Sequence, residues 1–297
     1  MTAYLQALRL ERWPRSAAIF LGTAAVFFLY RGFLPSFPVP EIAFRVVLSF
    51  LLTWTISTAN YVVNEIVDAP TDIHHPVKRH RPLIQGRIKK GPFILLGLGL
   101  TATGLSLAVA FFSRSFVLSL LALLGAGFIY NVKPIRTKDI PFLDSISESA
   151  NNPIRFLIGW YAFAPGQLFP PLTLLLAWWS FGNFLMTAKR LSEFRLLQDK
   201  AADYRLSHKR YSRNLLLFGM IASAAVFLAS SFLFILSFRL YRFLIVLPIL
   251  LLYVLLFFRK TLEEKEVMEE PESLLRNPLI ALLSLFLVVV FALSLFL

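Results

Sequence analysis

The chain contains no cysteine. That excludes a disulfide, a thiolate nucleophile and a thiolate metal centre, so any metal must be held by oxygen or imidazole ligands. Charge is also scarce, since Asp, Glu, Lys and Arg make up only 16% of the 297 residues. With 57% hydrophobic residues and thirty Phe, the composition excludes an ordinary soluble core and fits a polytopic membrane protein. Acidic residues are the scarcer sign, 17 against 30 basic ones, for a formal net charge of +13. A nucleic-acid binder would gather its basic residues on a water-exposed face, but here they fall in short loops between apolar runs. No nucleic-acid signature accompanies them, and the expected environment is a lipid bilayer.

Apolar runs lie at about 17 to 30, 42 to 63, 92 to 112, 116 to 131, 145 to 164, 170 to 188, 214 to 237, 241 to 258 and 278 to 297. Most approach the roughly 20 residues that cross a bilayer core. The spacing predicts an all-α fold with nine transmembrane helices, the first and fourth short and the fifth carrying polar groups. Arg9, Arg12, Trp13 and Arg15 precede the first run with no small-residue cleavage site after it, so they read as an amphipathic approach rather than a signal peptide. With the N-terminus inside, the inner connections carry 24 basic residues and the outer ones four. That asymmetry predicts a cytoplasmic N-terminus and a C-terminus outside. The inner connections are also the long ones, which places the chemistry on the cytoplasmic face. The whole chain, 1–297, reads as one transmembrane domain, with pseudo-repeat halves at about 1–144 and 145–258 and a ninth helix at about 278–297.

A polar island runs from Asn60 to Lys90. Asn60, Asn64 and Asp68 are four apart and share one helical stripe, with Glu65 one position around. Pro70 disfavours helical geometry at Ala69, so the helix is expected to end near Asp68, with Asp72 returning from the loop. Asn64, Glu65, Asp68 and Asp72 supply the hard oxygen ligands that Mg²⁺ takes alongside phosphate oxygens and water. Acidic groups at a helix C-terminus oppose the macrodipole, and a bound cation would compensate them. A basic segment follows, framed by Pro76 and Pro82, in which Lys78, Arg79 and Arg81 are candidate phosphate ligands. His74 and His75 read either as metal ligands or as headgroup-level surface residues, and Lys89 and Lys90 as lipid-facing charge.

The run Asn60-x-x-x-Asn64-Glu65-x-x-Asp68-x-x-x-Asp72, followed by His-Pro-x-Lys-Arg-x-Arg-Pro, resembles the first aspartate-rich motif of the UbiA superfamily of intramembrane prenyltransferases. The resemblance implies nine helices around a central cavity and an isoprenoid or related diphosphate held through Mg²⁺. Glu65 stands where the motif usually has Asp. The fourth connection, Tyr130 to Asp144, is similar to the UbiA stretch leading into the fifth helix, which makes Tyr130, Lys133, Lys138 and Asp144 candidates for substrate contact. Arg136 and Asp139 read equally well as topological charge.

On the fifth run, Asn151 and Arg155 share a face. A membrane-embedded Arg is costly unless it meets water or a partner, so Arg155 faces the cavity or pairs with Glu148 or a carbonyl. The sixth connection departs from most UbiA enzymes. Asp199 and Asp203 come a few turns later than a second aspartate-rich motif would, and Lys189, Arg190 and Glu193 occupy the helix exit. Lys-Arg-x-x-Glu there resembles the polyprenyl (decaprenyl)-phosphate phosphoribosyltransferase branch, and a Glu-Pro-Glu at 270–272 is weakly similar to it too.

The expected activity is therefore Mg²⁺-dependent transfer from a diphosphate substrate, with Asn64, Asp68 and Asp72 as the catalytic metal-holding residues. The favoured form is phosphoribosyl transfer from phosphoribosyl diphosphate to a polyprenyl phosphate. One alternative moves a polyprenyl group from its diphosphate to an aromatic or other small acceptor. Another is a transporter that uses Arg155 and the polar second helix as a path. The sequence leaves the oligomeric state open.

Overall fold

A computed structural model of the protein describes residues 2–30, 36–73, 78–197, 206–263 and 278–296. His74, His75, Asp199, Asp203 and residues 264–277 lie outside the described residues, and so does the side chain of Lys78. Among those described there are eleven α-helices and no strand. They are α1 (Thr2–Ala7), α2 (Ile19–Leu29), α3 (Val39–Asp72), α4 (Lys90–Phe111), α5 (Arg114–Asn131), α6 (Leu143–Ser149), α7 (Asn151–Tyr161), α8 (Leu172–Leu197), α9 (Arg213–Ser237), α10 (Val246–Glu263) and α11 (Pro278–Phe296).

Five of the described helical segments are long and apolar enough to cross a membrane: Val39–Pro70, Lys90–Phe111, Arg114–Asn131, Arg213–Ser237 and Tyr241–Glu263. The chain is an integral membrane protein. The first and fifth expected spans hold helices of only 11 residues each, α2 and α7, well short of the roughly 20 a bilayer core requires.

Three boundaries differ from the sequence expectation. The helix does not end near Asp68 but runs through Pro70 to Asp72, because proline disfavours but does not forbid helical geometry in the residue before it. The sixth helix does not stop at 188 but continues to Leu197. No Gly or Pro interrupts Thr187 to Leu197, and its charged groups find partners within the fold. The fifth run is divided into α6 and α7. Pro153 lacks the N–H that would bond the Ser149 carbonyl and crowds that carbonyl, so one helix ends at Ser149 and the next carries the proline in its first turn.

The chain divides into two compact units, residues 1–137 with 150–170 and residues 138–149 with 171–297. In the first unit α2 lies directly against α7. A Cβ on Gly22 would collide with the Phe156 carbonyl oxygen, and one on Gly159 with that of Ile19. Thr23 Oγ1 donates to the Gly159 carbonyl at 3.1 Å across the same contact. Small residues let membrane helices approach to backbone contact in this way. The N-terminal arm packs beside α3, where Ala7, Leu8, Val62, Ile88 and Phe93 form a buried cluster. In the second unit Phe184, Leu191, Leu216, Met220 and Phe257 form the core between α8, α9 and α10.

Candidate functional site

In the first unit, the polar stripe of α3 meets the end of α5. Asn131, 4% exposed, donates from Nδ2 to the Gly127 carbonyl at 2.8 Å. Its Oδ1 must therefore accept, and it does so from Asn64 Nδ2 at 2.6 Å. The second hydrogen of that Asn64 amide goes to Asp68 Oδ2 at 3.1 Å. This network fixes the amide orientation and leaves Asn64 Oδ1 as an acceptor for another group. Arg136 follows the α5 exit in the left-handed region at φ 36°. Its Nη1 donates to the Asn131 carbonyl at 3.2 Å and its Nη2 to Asp68 Oδ1 at 3.3 Å. A non-glycine residue held there stores about 1–3 kcal/mol of strain, which the surrounding contacts must offset.

One turn further along α3, Asp72 accepts from Arg81 Nη1. Arg81 Nε also lies 3.6 Å from Glu65 Oε2. Glu65 is 2% exposed and sits about 100° around the helix from Asn64, away from the stripe. Its Oε2 accepts from Arg9 Nη2 at 2.6 Å, while Oε1 is buried without a hydrogen-bond partner. Arg9, like Arg136, is left-handed, with φ 52°. Glu65 is thus held by arginines from two other segments rather than placed beside Asp68.

Asn60 is also occupied structurally. Its Nδ2 donates to the Leu123 carbonyl at 2.8 Å, in space that exists only because residue 127 is glycine. Lys133 and Arg79 are exposed, Arg79 Nε lying 3.3 Å from His80 Nε2. Tyr130 and Asn151 are half-buried, and Arg155 is 9% exposed on α7.

The second unit holds five of the remaining candidates, Lys138, Asp144, Lys189, Arg190 and Glu193, together with residues the sequence reading passed over. Arg190 is fully buried. Its Nε donates to Asp144 Oδ2 at 2.8 Å, Nη2 to Glu148 Oε2 at 2.8 Å, and Nη1 to Glu193 Oε2 at 3.1 Å. Asp144 Oδ2 also accepts from Ser207 Oγ at 3.1 Å, and Oδ1 accepts from Tyr211 Oη at 2.5 Å. Tyr211 Oη in turn accepts the Phe142 N–H at 2.7 Å. His208 Nε2 lies 3.0 Å from Glu193 Oε2. Burial, followed by the negative charge of Asp144, raises the Tyr211 pKa above the usual phenol value. Lys138 is buried and Lys189 half-buried in this unit. Arg190, buried and surrounded by carboxylates, presents no surface to a substrate phosphate.

Two residues that complete the first cluster, Asn131 and Arg136, were not among the expected site residues. Asn131 lies beside Tyr130, and a carboxamide at the end of an otherwise apolar helix was the available signal. A cleft of about 340 Å³ in the second unit is lined by Phe142, Trp179, Asn183, Phe218 and Val226 among others, with no titratable side chain, so acid–base or metal chemistry does not belong there.

Asn64, Asp68 and Asp72 offer oxygen donors only, which suits a hard divalent cation. Among the described residues no three His, Asp or Glu side chains are gathered for a metal. These residues could hold a cation only as part of its shell, with substrate phosphate and water completing the coordination. Arg81 and Arg136 add cations suited to phosphate oxygens.

No curated protein matches the sequence. Among solved structures the chain is similar to a UbiA homologue from Archaeoglobus fulgidus bound to GPP and Mg²⁺, with a TM-score of 0.70 and 19% identity over 99% of this chain and 100% of that one. A UbiA homologue from the same organism bound to DMAPP and Mg²⁺ gives 0.67 and 20%, over 98% of each chain. Digeranylgeranylglyceryl phosphate synthase gives 0.62 and 15%, over 99% and 95%. At these identities the likeness shows a shared fold. The UbiA prenyltransferase family itself matches residues 18–277; the chain belongs to this family and is a membrane-embedded transferase.

Proposed function

We propose that the protein is a Mg²⁺-dependent transferase of isoprenoid metabolism that acts on a diphosphate substrate at the cytoplasmic end of α3. The observation that carries this reading is the α3 stripe, where Asn64 and Asp68 are oriented by Asn131 and Arg136 and Asp72 follows one turn on. Asn64 Oδ1, Asp68 and Asp72 would hold Mg²⁺, and Arg81 and Arg136 would meet the diphosphate oxygens. When bound, the ion neutralises charge that builds on the departing diphosphate. The C1–O bond to diphosphate breaks with its electron pair leaving on oxygen, and an acceptor atom bonds to C1. The UbiA homologues bound to GPP or DMAPP with Mg²⁺ support the metal–diphosphate assignment. Family membership sets the transporter alternative aside.

For the substrate pair we favour phosphoribosyl diphosphate as donor and a polyprenyl phosphate as acceptor. The α8 exit supports this choice, because Lys189-Arg190-x-x-Glu193 stands where a second acidic motif is usual, and its one carboxylate, Glu193, is engaged by Arg190. In this reading Arg190 does not touch the donor. The second reading, prenyl transfer from a polyprenyl diphosphate to an aromatic or other small acceptor, is favoured by the prenyl diphosphates named for the structural relatives.

One preparation in lipid separates the two. Diphosphate release is measured with phosphoribosyl diphosphate plus polyprenyl phosphate, and in parallel with polyprenyl diphosphate plus an aromatic acceptor, each with Mg²⁺ and with chelator. Product in the first reaction alone supports the favoured pair, and product in the second alone replaces it. Absence of Mg²⁺-dependent release in both defeats the proposal.

A further inference from the structure

The carboxylates assigned to the metal are each paired with a guanidinium. Asp68 Oδ1 accepts from Arg136 Nη2 at 3.3 Å, and Asp72 Oδ2 accepts from Arg81 Nη1. These pairs are shielded from water, the Arg136 and Asp68 side chains being 13% and 14% exposed and those of Arg81 and Asp72 18% and 8%. Each arginine also has a second anchor outside the metal-holding stripe. Arg136 Nη1 is bonded to the Asn131 carbonyl, and Arg81 Nε faces the buried Glu65.

We infer that Arg136 and Arg81 act as resident counter-cations that a divalent ion must displace, and that a diphosphate drives the displacement by drawing the two guanidiniums onto its own oxygens. The inference rests on the metal–diphosphate reading of this site. Its physical basis is competition in a confined space. A divalent ion at Asp68 meets the repulsion of Arg136, and one at Asp72 that of Arg81, so the ion alone binds against a resident positive charge at each carboxylate. An incoming diphosphate offers the guanidiniums more acceptor oxygens than the carboxylates do, in the bidentate geometry arginine favours. Their second anchors keep the arginines beside the site during the exchange. Metal and diphosphate then each tighten the other, because linkage between two ligands is reciprocal. Whenever no ion is bound, the pairing would keep the carboxylates electrically balanced in their low-dielectric surroundings.

Arg136→Gln is the informative variant, since it removes the charge and keeps a polar side chain able to donate to the Asn131 carbonyl. Mn²⁺ binding is followed by electron paramagnetic resonance on the full chain in lipid, with Mn²⁺ alone and with inorganic pyrophosphate added, after correction for Mn²⁺ complexed by free pyrophosphate. The wild type is expected to bind Mn²⁺ roughly tenfold more tightly when pyrophosphate is present, within the usual range of coupling between ligand sites. In Arg136→Gln, Mn²⁺ alone should bind more tightly than in the wild type, and the pyrophosphate effect should shrink. Arg136→Lys, which keeps the charge, should restore the weak metal-alone binding. Arg81→Gln provides an independent comparison at Asp72, with the same direction expected. If the wild type shows the pyrophosphate effect and neither glutamine variant changes metal-alone binding, the displacement is overturned and the metal–diphosphate reading stands. If wild-type protein binds no Mn²⁺ even with pyrophosphate, both fail together.

Discussion

Arg190 Nε and Asp144 Oδ2 lie 2.8 Å apart with both side chains wholly shielded from solvent. The pair ties α8 to α6 within the second unit, and Glu148 and Glu193 take the remaining edges of the same guanidinium. Replacing Arg190 by Met leaves three carboxylates without their shared cation. Breaking a buried pair in this way typically costs about 3–5 kcal/mol. Arg190→Met should therefore unfold at markedly lower denaturant concentration in detergent, a loss visible without any substrate. A variant as stable as wild type would contradict the geometry.

Asp68 and Glu65 stand three residues apart and should fail differently. Asp68→Asn removes charge from the stripe and should lower Mg²⁺-dependent turnover at least about 100-fold, while Asn64 and Arg136 still find an acceptor and stability changes little. Glu65→Gln leaves Arg9 and Arg81 facing a neutral amide. It should chiefly lower the unfolding midpoint, with much smaller loss of turnover per folded molecule. Paired measurement of unfolding and diphosphate release distinguishes these outcomes.

The contact between α2 and α7 tolerates no added methyl group. Gly159→Ala would press a Cβ into the Ile19 carbonyl and Gly22→Ala one into that of Phe156. Overpacking of this kind costs typically 1–3 kcal/mol. Each substitution should lower thermal stability by a similar amount, whereas Gly99→Ala on α4, where nothing lies within 4 Å of the added Cβ, should not.

Tyr211 gives the second unit an alkaline limit. Burial and then the Asp144 charge raise its pKa above the ordinary value of about 10. Its stabilising contribution is accordingly complete below about pH 10, the pKa in the unfolded chain, and is lost as pH rises towards the higher folded value. Unfolding midpoints across pH 8 to 11 should fall at the upper end in the wild type. Tyr211→Phe should start roughly 0.5–1.5 kcal/mol less stable and show a shallower decline.

That Asn60, Asn64 and Asp68 share one stripe was legible because a four-residue spacing on a helix survives any tertiary context, whereas Asp72 was expected from a loop and instead lies on the same helix. The surroundings of Glu65 were not legible, since its neighbours in sequence are the stripe itself and its partners are Arg9, 56 positions away, and Arg81. Arg190 misled for a related reason. A basic residue at a helix exit looks like a phosphate ligand when burial is unknown, and its partners Asp144 and Glu148 lie more than 40 residues earlier. Pro70 marked a helix end in the sequence, yet the helix passes through it, because the local preference is small beside the packing of α3 against α4 and α5. Asn131 and Arg136 went unselected as one amide and one cation among many, and their meaning appears only in the hydrogen bonds that orient Asn64 and Asp68.

The link from Arg9 to Glu65 makes the first turns of the chain a removable counterion. A protein trimmed past residue 9, by a protease or by the design of an expression vector, would keep every residue of the α3 stripe and still lose the charge balance beside it. Such a preparation would leave the buried Glu65 carboxylate with Arg81 alone, so its unfolding midpoint should fall while turnover per folded molecule changes much less. The presence of Arg9 is thus a variable of stability, to be verified by intact mass before any unfolding midpoint is compared.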